Sequence, residues 1–135
     1  MKNILIDANI FLEVLLAQEK SEQCKRILKK FQQGNQRGVV SSFTIDAILI
    51  IMTRNKKENK DLELFITSLL NYKGLVIHQI TIKDRLEATK LMKSHNIDYE
   101  DAITLQTAFS NNIKEILSLD KHFDKVKEIK RIESL

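Results

Sequence analysis

The run ILIDANIFLEVLL, Ile4 to Leu16, changes character at Asp7. Ahead of Asp7 stands a short apolar stretch, Asn3 to Ile6, with the length and composition of a strand buried in a parallel sheet. Behind it, Asn9 is placed to cap a helix. From Ile10 to Ala17 nearly every residue except Glu13 is apolar, so this helix is expected to be covered on most sides.

The rest of the chain continues the alternation. Cys24, Ile27, Leu28 and Phe31 stand at i, i+3, i+4 and i+7, opposite Lys25, Arg26, Lys29 and Lys30. Gly34 and Gly38 bracket a turn before a second strand at Val39–Val40. The β-branched content of residues 41–53 suggests a strand, yet the stretch is long enough for a buried helix begun by a Ser cap, and the helix is the expectation. A charged loop, residues 54–60, precedes an amphipathic helix marked by Leu62, Phe65, Ile66, Leu69 and Leu70, which Gly74 ends. Leu75–Ile77 is a third strand. Ala88, Leu91, Met92 and His95 share a face of the next helix, and Asp98 caps another that runs to about Phe109. A fourth strand lies within Ile113 to Leu119, ended by Asp120, and the tail from Val126 can add a fifth. Strands alternating with helices imply an α/β fold with a parallel sheet.

The 135 residues suit one domain, 1–135, with one core. Hydrophobic residues at 43% and charged residues at 30% exclude a disordered tail. One Cys excludes a disulfide scaffold and multi-cysteine metal sites, and the absence of Pro excludes linker-rich designs. No apolar run approaches membrane-span length. Asp7 interrupts what would be the core of a secretory signal, so a cytoplasmic protein is expected. The net charge of +4 lets the chain approach a polyanion without showing that it binds one.

The informative pattern is where acids fall. Asp7 follows the first expected strand and Asp120 the fourth, and ligands of open α/β sheets bind beyond the carboxyl ends of strands where strand order reverses. Asp101, in the first turn of its helix, shares a face with Leu105 and Ala108, so its carboxylate points inward and needs a partner. Singly, each acid has a plainer role: Asp7 closing a strand, Asp101 serving its helix dipole, Asp120 capping the turn Lys121-His122-Phe123. Together, three segments delivering acids to one edge weaken those separate roles, and the partner required is a cation, a helix N-terminus or a metal.

These stretches, with DYEDAITLQTAF (98–109) and ILSLDKHFDKV (116–126), resemble the PIN-domain family and within it the VapC-like toxin ribonucleases. The resemblance implies a Rossmann-like α/β/α sandwich with a central parallel sheet of four or five strands. It implies hydrolysis of RNA phosphodiesters with Mg²⁺ or Mn²⁺, leaving 5′-phosphate and 3′-hydroxyl ends. Asp7, Asp101 and Asp120 match the family's metal-holding acids, Ser118 its hydroxyl residue and Asn9 its Asn. A homodimer and a small antitoxin partner are further implications. One position departs: Ala47 stands where the family usually has a Glu. Asp46, about 100° round the helix, and Glu13, one turn beyond Asn9, are the candidate replacements. Candidate RNA contacts are Arg54, Lys56, Lys57 and Lys60 in the charged loop and Lys121 beside Asp120.

Three rivals compete. A histidine-based, metal-independent ribonuclease would have to work with three scattered histidines. A receiver-like domain needs an acid after its third strand, where this chain has His78, Gln79 and Ile80. A catalytically weak or silent module that binds RNA or a partner is kept open by Ala47.

Overall fold

A computed structural model describes residues 1–135 as alternating elements: β1 (Asn3–Ile6), α1 (Ala8–Leu15), α2 (Ser21–Gln32), β2 (Arg37–Ser41), α3 (Ser42–Arg54), α4 (Asn59–Leu70), β3 (Leu75–His78), α5 (Ile82–His95), α6 (Tyr99–Ser110), β4 (Glu115–Leu117) and β5 (Lys130–Ile132). A 3₁₀ turn, Lys121–Lys125, joins the last two strands. The five strands form one parallel sheet in the order β3-β2-β1-β4-β5. The order runs outward from β1 in both directions, so it reverses between β1 and β4, and a crevice opens there beyond their carboxyl ends.

The apolar run at the chain's start is explained by burial on both faces. Successive side chains of a strand point to opposite sides. Ile4 and Ile6 of β1, Val40 of β2 and Leu117 of β4 join one core with Phe11, Leu28, Phe31, Ile48 and Phe65 from α1 to α4. Leu5, Val39 and Ile116, their immediate neighbours in sequence, join the other core with Ala88, Ala102, Ile103, Leu105 and Ala108 from α5 and α6. This is a three-layer α/β/α sandwich, and the expected central parallel sheet is present, with five strands.

Residues 42–54 are helical, and Ser41 caps them by accepting the Thr44 backbone N–H at 3.0 Å. Asp98 caps α6 in the same way, through Asp101 N–H at 2.9 Å. Four details depart from the sequence reading. The first helix begins at Ala8, and its cap is Asp7, whose Oδ1 accepts the Ala8 N–H at 2.8 Å, not Asn9. The fourth strand is three residues long and ends at Leu117, because Ser118 turns to bond Asp7 and Asn9. On α4 only Phe65 and Leu69 are buried; Ile66 and Leu70 face outward at 43% and 77% exposure. His95 lies half-buried, with Nε2 2.8 Å from Glu128 Oε2, and does not join the apolar face of α5. No helix is long and apolar enough to cross a membrane.

Gly74 decides how β3 enters the sheet. Its N–H donates to Phe31 O at 2.9 Å and its carbonyl accepts the Gly38 N–H at 2.7 Å, which leaves its α-carbon against the Gln36 carbonyl. A Cβ there would overlap that oxygen. Gly74→Ala is expected to lower the unfolding free energy by about 3 kcal/mol, through backbone displacement, in a denaturant titration with unchanged slope.

Candidate active site

The carboxyl ends of β1 and β4 are tied together by side chains. Asp7 Oδ2 accepts the Ser118 hydroxyl at 2.7 Å and the Asn9 amide at 3.1 Å. Ser118, fully buried, in turn accepts from Asp120 N–H at 3.0 Å and from Asn9 Nδ2 at 3.3 Å. Asn9 Oδ1 accepts the Leu119 N–H at 3.0 Å. Arg131, one strand over, donates to the Ser118 carbonyl at 3.0 Å while its guanidinium pairs with Asp124 and Glu133. Asp7 therefore has little freedom to turn. Three of the roughly four lone-pair sites of a carboxylate are occupied, which leaves at least one.

A hollow of about 190 Å³ opens beside this tie, and its wall carries the acids of three separated segments: Asp7, the α6 N-terminus with Asp98, Glu100 and Asp101, and Asp120. His122 stands at its mouth, with Nδ1 3.1 Å from Asp120 Oδ2 and 3.6 Å from Asp101 Oδ2. Apart from Asp120, which caps the 3₁₀ turn through His122 N–H at 2.9 Å, and the helix caps Asp7 and Asp98, these acids are not consumed by local structure. Asp101 and Glu100 accept no hydrogen bond from another side chain.

Charge crowding shows in the protonation equilibria. Burial and the neighbouring Asp98, Asp120 and Asp7 push the Asp101 carboxyl up from 3.8 to about 6, against the pull of His122. Burial, then Asp98, Asp7 and Asp120, also raise Glu100. Burial raises Asp7, the hydrogen bonds from Ser118, Ala8 and Asn9 oppose it, and Asp120 adds to it. A hollow lined by oxygen donors whose negative charges repel one another is chemically suited to a hard divalent cation. As placed, no three His, Cys, Asp or Glu side chains converge closely enough to hold one ion between them. A site using one or two carboxylates, with water for the rest, fits the donor set.

The structure thus brings Asp7, Asp101, Asp120, Asn9 and Ser118 to one place. Two candidate residues lie elsewhere. Asp46 is exposed on α3 and outside the hollow, because the α3 side turned toward it carries Ile51, one turn from Ala47. Glu13 also lies outside, with Oε2 accepting the Lys20 N–H at 2.9 Å ahead of α2. Neither replaces the missing Glu by position. Glu100 was missed: it directly precedes Asp101, and the signal was two adjacent acids in a first helical turn. Arg54 is exposed one turn beyond Ile51, whereas half-buried Lys57 lines a different surface with Val14 and Phe65. Lys56 and Lys121 are exposed.

A family model described as PIN domain matches residues 4–129. No curated protein matches the chain. Among solved structures, VapC20 of Mycobacterium tuberculosis, a sarcin-ricin loop cleaving toxin, superposes with a TM-score of 0.76 at 12% identity, covering 94% of this chain and 97% of that one. A toxin-antitoxin complex from Klebsiella pneumoniae gives 0.72 at 15% identity over 98% and 99%. VapBC2 from Rickettsia felis, bound to a DNA fragment from their promoter, gives 0.74 at 13% over 96% and 97%. At these identities the likeness is one of fold.

Because the Asp101 carboxyl holds its proton more tightly in the folded chain, folding stability falls as pH rises from about 4 through about 6. Asp101→Asn removes that loss. With the partial solvent screening of the hollow, the gain is about 1 kcal/mol. The thermal midpoint is expected to rise by about 3 °C at pH 7 and to stay unchanged at pH 4 by calorimetry.

Proposed function

The chain belongs to the PIN domain family, and from that premise we propose that it is a divalent-metal-dependent endoribonuclease acting at the acidic hollow, the toxin of a type II toxin–antitoxin pair working in the cytoplasm. The observation that carries this reading is the meeting of Asp7, Asp101 and Asp120, from three distant segments, at the point where strand order reverses. The reading takes residues 1–135 as one catalytic domain.

Asp7 and Asp101 would hold Mg²⁺ or Mn²⁺, with Asp120 and Glu100 within the same hollow. When bound, such an ion lowers the pKa of water and neutralises charge on phosphate oxygens. The remaining work belongs to the chain. Ser118 and Asn9 keep the Asp7 carboxylate in one orientation, the role of outer residues around metal ligands in general. Asp120 orients a water on its side of the hollow. His122, with Nδ1 within reach of both Asp120 and Asp101, is the side chain of the hollow suited to proton transfer. Arg54, one turn along α3 from Ile51, Lys56 after it and Lys121, next to Asp120, are the exposed cations offered to substrate phosphates.

Ile51, one turn from Ala47, puts an apolar side chain on the hollow's wall, and the family's Glu position is Ala47; this favours a second, slower version of the same activity. In that version Glu100 provides the fourth acid from the opposite wall. For the partner, a groove of about 380 Å³ between α1, α2 and α4, lined by Phe11, Val14, Leu15, Leu28, Phe65 and Tyr72, suits an apolar segment of a small antitoxin. Ile82 and Leu86, exposed at 79% and 57% one turn apart on α5, suit a second copy of the chain.

The test is cleavage of structured and unstructured RNA in Mg²⁺, Mn²⁺ or EDTA, with Mn²⁺ affinity measured by calorimetry. Asp7→Asn and Asp101→Asn are expected to lose cutting and metal affinity together, and Ser118→Ala to lose roughly tenfold in each. Cutting that survives in both Asn variants, or proceeds in EDTA, removes the proposal. Ala47→Glu is expected to raise the rate and Glu100→Gln to lower it, whereas Asp46→Ala and Glu13→Gln leave it unchanged.

A further inference from the structure

All five strands run the same way, so all five begin at one edge of the sheet, opposite the acidic hollow. Each begins at or just after a cation: Lys2 before β1, Arg37 opening β2, Lys73 before β3, Lys114 before β4 and Lys130 opening β5. All five are exposed. None takes part in an ion pair. The strand register places them side by side: Asn3 pairs with Arg37, Gly38 with Leu75, and Glu115 with Lys130. Four strand spacings span ~19 Å.

Two shallow hollows, of about 250 and 240 Å³, meet at Asn3 on this edge. Lys2 and Lys114 line the first with Asn111 and Asn112; Arg37 and Lys73 line the second. The acid among these lining residues, Glu115, lies next to Lys114 and opposite Lys130, so positive charge dominates around it. The edge thus pairs a row of uncompensated cations with side-chain amides, and no aromatic residue lines either hollow.

We infer that this amino edge is a second nucleic-acid surface, which grips the phosphate backbone of RNA away from the acidic hollow and without regard to base sequence. Free cations in a row match a polyanion, and amides add hydrogen bonds to phosphate and sugar oxygens. The absence of aromatics removes base stacking, and with it a source of preference for unpaired bases. A membrane surface would need apolar anchors among the cations, and these hollows offer few. The inference extends the proposed ribonuclease reading, since it gives an RNA seated in the hollow a second hold on the chain.

The measurement is anisotropy of a labelled single-stranded RNA in EDTA across a salt series, so that no cutting intervenes. It compares wild type with the triple variant Lys2→Gln, Lys73→Gln, Lys114→Gln, and with a control of equal charge change on exposed helix positions, Lys25→Gln, Lys29→Gln, Lys83→Gln. The edge variant is expected to lose at least about tenfold in affinity and about 2 from the slope of log K against log salt, as for three phosphate contacts on a single strand. The control is expected to keep most of both. Equal losses in the two variants, or no RNA binding by wild type, overturn the inference. So does binding to phosphatidylserine vesicles in preference to RNA. Edge-dependent binding with no cleavage under any metal would sink the nuclease reading and leave this surface standing. Cleavage of a dinucleotide too short to reach the edge is expected to be the same in the edge variant as in wild type.

Discussion

The short hydrogen bond from Ser118 to Asp7 joins the carboxyl ends of β1 and β4, and the acidic hollow depends on it. A parallel sheet that winds outward in both directions has to leave a gap between the strands where the directions part. Here that gap is bridged by a hydroxyl that donates to one acid's carboxylate and accepts from the backbone N–H of another. Asn9 spans the same gap, bonded to Asp7 on one side and Leu119 on the other. One small network ties the two strand ends together and holds Asp7 at the hollow.

Placing several carboxylates in that gap works against stability. Asp101, Glu100 and Asp7 all hold their protons more tightly than free acids do, with burial first among the causes and mutual repulsion added. Elsewhere the chain avoids this. Asp84 is buried, but hydrogen bonds from the Thr81 backbone, His78, Ser110 and Gln106 outweigh its desolvation and keep its carboxyl well below the usual range. The contrast between a fully satisfied buried acid that ties β3, α5 and α6 together and an under-satisfied cluster at the strand ends separates structure from site. A cation entering the hollow would relieve repulsion that the fold alone leaves in place.

The charge of the whole molecule follows the same geometry. Helices return antiparallel to the strands, so N-termini such as that of α6 gather at the carboxyl edge, where acids are favoured. The opposite edge collects the cations that open the strands. The mild net charge of +4 therefore hides a segregated surface, which composition alone does not show.

Much of the architecture was legible in one dimension because burial imposes period and length directly on sequence. The run before Asp7 read as a strand covered on both faces, residues 41–53 read as a helix on length and Ser41 despite their β-branched content, and Asp98 read as a cap. The order of acids along the chain likewise pointed to one edge. Sequence did not decide which of several nearby acids turn into the hollow. Asp46 and Glu13 stood out in the sequence and Glu100 did not, and only the packing of α3, through Ile51, and the reach of Glu13 to Lys20 place the first two outside the hollow that Glu100 lines. Exchanging Asn9 for Asp7 as the cap was equally invisible, since either side chain can accept the bond and the choice rests on Ser118, 109 residues beyond Asn9. Local pattern determines what each segment becomes; the direction in which a polar side chain points depends on partners that only the folded chain brings within hydrogen-bonding distance.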